Sequence, residues 1–163
     1  MSEEKFVYNV DIQKILNDNN ISITSNNPNI IQKNNRPYYV SVSLNNEYSA
    51  FIPIRTKLPH KYGFITKIKG KQRSGLDYTK SIIVETQSIT TYLIQEASIS
   101  FGEYQKIKAN QTIITKNYQK FIFELYIPIS EKKESERNVT EKQIYSYSSL
   151  QYFDKLLKNI KPN

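Results

Sequence analysis

The chain has 163 residues, no cysteine, one histidine, and a formal net charge of +8 with a pI near 9.4. This length suits one domain spanning 1–163 around a single core, and the composition excludes a disulfide framework, a thiolate zinc site and a multi-histidine metal centre. No apolar run approaches the roughly 20 residues of a membrane span, and the opening Met1-Ser2-Glu3-Glu4-Lys5-Phe6 lacks the features of a secretory signal. The expectation is therefore a cytoplasmic protein without a membrane partner.

In chain order, Lys5-Phe6-Val7-Tyr8-Asn9-Val10 is rich in β-branched and aromatic residues and predicts a first strand. Asp11 caps a short helix with Ile12, Ile15 and Leu16 on one face, ended by Asn17-Asp18-Asn19-Asn20. An asparagine-rich polar connection follows as far as Asn35. Residues 37–44 and 48–54 alternate or cluster strand formers around the turn signal Asn45-Asn46-Glu47, predicting a hairpin. Residues 80–85 and 92–99 add two strands, for an antiparallel or mixed sheet of about five.

Ser100-Phe101-Gly102-Glu103 has capping-box spacing and predicts a helix start. Ile114, Tyr118, Phe121, Ile122 and Leu125 recur at helical spacing in a second helix expected to stop near Pro128. Residues 131–142 are charged or polar and read as an exposed linker or helix extension. Leu150, Phe153, Leu156, Leu157 and Ile160 make a last amphipathic helix capped by Ser148 or Ser149. The resulting class is α+β.

Charge is concentrated in one place. Residues 1–54 carry four Lys/Arg against five Asp/Glu, residues 55–80 eight against one, and residues 81–163 eleven against nine. A local excess of this kind attracts polyanions, nucleic acid above all. Lys67, Lys69 and Lys71 alternate, with Arg73 beyond them. On an extended segment the first three project to one side as a phosphate-tracking row, with Gly70 and Gly75 keeping the region flexible. A mobile basic loop is the alternative, and ordering on RNA binding reconciles the two.

The same segment concentrates reactive groups. Arg55-Thr56-Lys57-Leu58-Pro59-His60-Lys61-Tyr62 supplies guanidinium, hydroxyl, amine, imidazole and phenol. These are the groups for cleaving RNA without metal, through proton transfer and stabilisation of a phosphorane. A two-metal nuclease needs converging carboxylates, and Asp77 is the only acid between residues 55 and 80. Each residue also has a plain structural use, His60 as an incidental loop residue, Thr56 as a turn cap and Arg55 as half of a surface ion pair. No P-loop, Gly-x-Ser-x-Gly elbow or dinucleotide fingerprint occurs.

The succession Arg36-Pro37-Tyr38-Tyr39-Val40, Tyr48-Ser49-Ala50-Phe51-Ile52-Pro53-Ile54-Arg55-Thr56, Pro59-His60-Lys61-Tyr62 and Ser74-Gly75-Leu76-Asp77-Tyr78-Thr79-Lys80 resembles TenpN-type toxins, which stand with ToxN and AbiQ among toxins of type III toxin-antitoxin systems. The likeness extends over most of the chain. It implies a compact, bent antiparallel sheet with packed helices, related to PemK/MazF-type toxin barrels. It also implies a sequence-selective endoribonuclease needing no metal or other cofactor.

The implied partners are cellular mRNA and a small repeat RNA antitoxin folded as a pseudoknot, held with the toxin in a hetero-oligomer that serves phage defence or plasmid maintenance. By this resemblance Arg36 matches a basic residue of the active groove, Thr56 the hydroxyl residue after the Ile-Pro strand, and Lys57, His60 and Lys61 further basic positions. Arg55 stands where ToxN has threonine or serine.

The expected catalytic set is Arg36, Arg55, Thr56, Lys57 and His60. The expected RNA contacts are Lys61, Tyr62, Lys67, Lys69, Lys71, Arg73, Tyr78 and Lys80, with Tyr62, Phe64 and Tyr78 available to stack bases. The competing readings are a non-catalytic RNA- or DNA-binding protein using the same 55–80 face, and a structural adaptor.

Overall fold

Runs of β-branched and aromatic residues become the sheet, because such side chains pack well on a pleated, half-buried surface. The computed structural model describes residues 5–22, 30 and 35–163. Among these, β1 (Val7–Val10), β2 (Tyr38–Ser43), β3 (Tyr48–Arg55), β4 (Gly63–Lys69), β5 (Gln72–Asp77), β6 (Ile82–Glu85) and β7 (Leu93–Glu96) form one open sheet. The order is β4-β5-β3-β2-β1-β7 with β6 also beside β3, and every neighbouring pair is antiparallel.

The class is α+β, as expected. The expected strands are present, and β4 and β5 are added from the segment read as a basic connection. The asparagine-rich connection before Asn35 lies mostly outside the described residues.

Strand β3 organises the site. One edge pairs with β2, while the other pairs with β6 from Tyr48 to Phe51 and then with β5 at Ile54 and Arg55. The Ile54 amide donates to the Pro37 carbonyl on the β2 side, so the nitrogen of Pro53 faces the opposite edge, in the gap between β6 and β5. A residue without an N–H fits that gap without losing a ladder bond.

Strands β4 and β5 turn through Gly70 and Lys71, with Gly70 at φ 62° as the first central position of a tight hairpin turn. Gly75, expected to be a point of flexibility, is instead a point of close approach. A Cβ there would lie 2.1 Å from the Phe64 carbonyl oxygen, beside the bulge between Ile65 and Lys67.

The helices are α1 (Ile12–Asp18), α2 (Ile89–Tyr92), α3 (Phe101–Ala109), α4 (Gln111–Lys120), α5 (Ile127–Glu131), α6 (Val139–Tyr147) and α7 (Asp154–Leu157). Asp11 caps α1 by accepting from the Lys14 amide at 3.1 Å. Ser100 caps α3 and donates its hydroxyl to Glu103 Oε1 at 2.9 Å. Glu103 Oε2 in turn accepts from Thr66, which docks α3 on β4.

The helix expected to end near Pro128 does not. A π-helical stretch, Phe121–Tyr126, joins α4 to α5, and the Ile127 amide reaches back to the Ile122 carbonyl. The wider turn carries the chain past Pro128, which has no N–H to donate and would clash with the carbonyl four residues back in a regular helix. Residues 131–142, expected as an exposed linker or helix extension, are partly helical, since Asn138 and Glu141 form a reciprocal capping box that opens α6. The last helix starts as a 3₁₀ stretch, Ser149–Phe153, capped by Ser148, before α7.

Both sheet faces are covered near β3, whose interior residues from Ser49 to Ile54 are all buried. One apolar cluster runs from Phe6 and Val7 through Tyr38, Tyr39, Phe51 and Ile52 to Tyr118, Ile122, Phe153 and Leu157. Among the described residues no helix is long and apolar enough to cross a membrane.

Candidate functional site

Register builds the site. Arg55 ends β3 opposite Gly75, and Asp77, two residues further along β5, lies diagonally across on the same face. Arg55 Nη1 donates to Asp77 Oδ2 at 2.8 Å, and Asp77 is fully buried. Asp77 then caps the 3₁₀ turn Tyr78–Lys80. Its Oδ1 accepts from the Thr79 amide at 3.0 Å and the Thr79 hydroxyl at 2.6 Å.

His60 reaches the same oxygen from the loop between β3 and β4, with Nε2 3.0 Å from Oδ1 and 3.1 Å from Thr79 Oγ1. The Tyr62 amide donates to His60 Nδ1 at 3.0 Å, which leaves the ring proton on Nε2, directed at Asp77 and Thr79.

Tyr147, at the end of α6, closes the cluster. Its hydroxyl is 3.4 Å from Arg55 Nη1, its ring meets His60 edge-on at 5.9 Å, and Lys80 Nζ lies 3.9 Å from its centroid. Lys80 also donates to the Tyr147 carbonyl. Ser148 and Ser149, both fully buried, donate to the Thr79 carbonyl, and Ser149 also to that of Ser81. The turn carrying Thr79 and Lys80 is thus bolted to the end of α6.

Burial opposes ionisation of Asp77, but hydrogen bonds from His60, Thr79 and Arg55 outweigh it and hold the carboxyl below its usual range. Burial also works against the charge of Arg55, and the bonds to Tyr147 and Asp77 more than restore it. Lys80 is pulled down to about 8 by burial, with Asp77 opposing and Arg55 adding to the fall. A lysine in that range exchanges its proton near neutral pH.

Arg36 sits on the other side of β3. Its Nη1 donates to the Ile54 carbonyl at 3.4 Å, and its buried Nε has no hydrogen-bond partner among the described residues. Arg36, Arg55 and Thr56 line one cleft of about 430 Å³, with Pro37, Ile99 and Glu103 on its remaining walls. Among the described residues no carboxylate pairs with Arg36. The Thr56 carbonyl accepts from Gln72 and Ser74 at 2.8 and 2.9 Å, and the Leu58 amide donates to the Arg73 carbonyl, so β5 fixes this loop while the Thr56 side chain is exposed.

The structure brings Arg36, Arg55 and Thr56 together, places Lys57 exposed beside them, and packs His60 into the adjoining Asp77 cluster. Lys61, Lys67, Lys69 and Lys71 are exposed and Arg73 partly so. The row of three is corrected to two, because Lys67 and Lys69 share a face of β4 whereas Lys71 occupies the turn. Tyr62 is half-buried.

Tyr78 is corrected from a base stacker to a core residue, 3% exposed, with its ring 5.4 Å from that of Tyr118. Lys80 is corrected from an open phosphate contact, being 6% exposed and bonded inward.

Sequence reasoning singled out Asp77 only as the lone acid of the basic segment, and passed over Thr79 and Tyr147. The Asp-x-Thr spacing is a local capping signal that points to the first pair. Tyr147 carries no comparable signal, because its position depends on where α6 docks. Comparison of the chain with protein-family models, with curated proteins and with solved structures finds no match.

Proposed function

We propose that the protein is a metal-independent endoribonuclease and the toxin of a type III toxin-antitoxin system, cutting mRNA and its own repeat RNA and held in check by the bound pseudoknot. The observation that carries this reading is the convergence of Arg36, Arg55 and Thr56 on one cleft beside the Asp77 cluster. In this reading the sheet belongs with the bent ToxN-like and PemK-like toxins, and the role is phage defence or plasmid maintenance.

The RNA 2′-oxygen attacks the adjacent phosphorus as the bond to the 5′-oxygen breaks. The 2′-hydroxyl loses its proton to a base and the departing oxygen gains one, leaving a cyclic phosphate and a 5′-hydroxyl. Arg36 and Arg55 stay protonated and offset the charge that builds on the phosphorane. Thr56 donates to a phosphate oxygen. Proton transfer falls to Lys57, or to His60 once its bond to the Tyr62 amide opens. Asp77 and Thr79 orient His60, while Lys61, Tyr62, Lys67, Lys69, Lys71 and Arg73 guide the strand.

The exposed cations of the β4–β5 hairpin suit a second reading, a non-catalytic nucleic-acid binder. Purified protein incubated with single-stranded RNA in the presence of a strong chelator separates the two. Fragments ending in cyclic phosphate and 5′-hydroxyl support the nuclease, whereas salt-sensitive binding with intact RNA supports the binder.

A further inference from the structure

A second cleft, of about 350 Å³, opens where the start of β4 faces the π-helical stretch. Tyr62, Tyr78, Phe121 and Leu125 supply its apolar walls, with Lys61 and Lys120 on its rim. The Tyr62 and Phe121 rings stand 5.9 Å apart, and Lys61 Nζ is 5.7 Å from the Tyr62 centroid. The Tyr78 hydroxyl is buried without a hydrogen-bond partner among the described residues, although its residue lines this cleft. Burial keeps that phenol protonated, so it is a donor left without an acceptor, a state that buried polar groups normally avoid.

Asn117 and Glu124 add an amide and a carboxylate to the same lining. Phe121, Glu124 and Leu125 all come from the π-helical turn, a distortion that often marks a working site.

We propose that this cleft is a nucleobase subsite, taking one unstacked base of single-stranded RNA next to the phosphate held by Arg36, Arg55 and Thr56. The Tyr62 and Phe121 rings provide stacking surface, the Asn117 amide and Glu124 carboxylate provide edge contacts, and the two lysines meet the flanking backbone. Tyr62 links the two sites, because its ring forms the cleft wall and lies 5.6 Å from His60 while its amide holds His60 Nδ1. The subsite rests on the RNA reading above and makes it sequence-selective, and the following test separates the fates of the two.

The probes are short RNAs carrying a 2′-deoxy nucleotide at the cleaved position, each with one base removed at a different place, titrated against the full chain. Base-to-aromatic stacking of ordinary strength makes one abasic position bind about 5- to 150-fold more weakly than the intact RNA. Tyr62→Leu abolishes that penalty while leaving the salt dependence of binding unchanged. Should Tyr62→Leu fail to fold, Asn117→Trp, at an exposed helix position on the cleft, plugs the space. It brings binding of intact RNA down to that of the abasic probe.

Equal binding of all abasic probes, or a penalty that survives both variants, overturns the subsite. Cleavage of unmodified RNA by the wild type is read in parallel. Cutting without a position-specific penalty rejects the subsite alone, whereas a penalty without cutting keeps the subsite and rejects the nuclease.

Discussion

Asp77 has no exposed surface and gathers bonds from Arg55, His60 and Thr79, so its removal strands partners that cannot all turn to water. Asp77→Asn is expected to destabilise the fold by about 3 kcal/mol, the low end for breaking a buried pair because Arg55 keeps some solvent contact. Urea denaturation measures this. The folded carboxyl titrates below its ordinary range, so its contribution is present at neutral pH and is lost only as pH falls through that lowered value.

Lys80 gives a slope of the same sign, as a burial penalty that fades with rising pH rather than a gain that is lost with falling pH. Its pKa drops from 10.5 unfolded to about 8 folded, so between those values the unfolded chain binds more protons and stability rises with pH. Wild-type stability relative to Lys80→Met is expected to climb from about pH 8 towards pH 10.5, and a flat difference over that window would contradict the burial argument. Thr56→Ala, at an exposed side chain, is expected to leave stability within about 0.5 kcal/mol while slowing RNA cleavage at least tenfold, read from initial rates.

At the scale of elements, the hairpin of β2 and β3, the first strand and helix and the Ser100 cap were legible because each carries its own local signal. Strand β4 and strand β5 were not. β4 mixes Gly63 and two lysines with its apolar residues, β5 has no β-branched or aromatic residue and opens on exposed polar ones, and a bulge breaks the alternation that marks a strand. The glycines that read as flexibility are needed for close strand approach at Gly75 and for positive φ at Gly70. Gly75→Ala is expected to cost about 2 kcal/mol, because the carbonyl of Phe64 already occupies the space a methyl group needs. Thermal unfolding checks it.

Pro128 misled in the other direction. A proline ordinarily ends a helix, but the π-helical turn before it absorbs the missing donor.

Across the whole molecule, the chain from β3 to β5 forms the basic hairpin and contributes to both the Arg36–Arg55–Thr56 cleft and the aromatic cleft. The sequence located the charge and the reactive segment, since both are contiguous. It did not disclose that Asp77, Thr79 and Tyr147 complete the cluster, because Tyr147 arrives from residues far along the chain. Four exposed or partly exposed cations, Lys67, Lys69, Lys71 and Arg73, are available to phosphates. Replacing all four by glutamine is expected to reduce the salt slope of single-stranded RNA binding by up to about 3, at roughly 0.7 per phosphate contact.

The most direct measurement is induced expression of wild type beside folded Arg36→Ala and Thr56→Ala, with cellular RNA ends mapped in each. Growth arrest with new, site-selective 5′-hydroxyl ends in the wild type, lost in at least one variant, is the expected result. Healthy growth with intact RNA in wild-type cells containing the folded protein would contradict the endoribonuclease assignment.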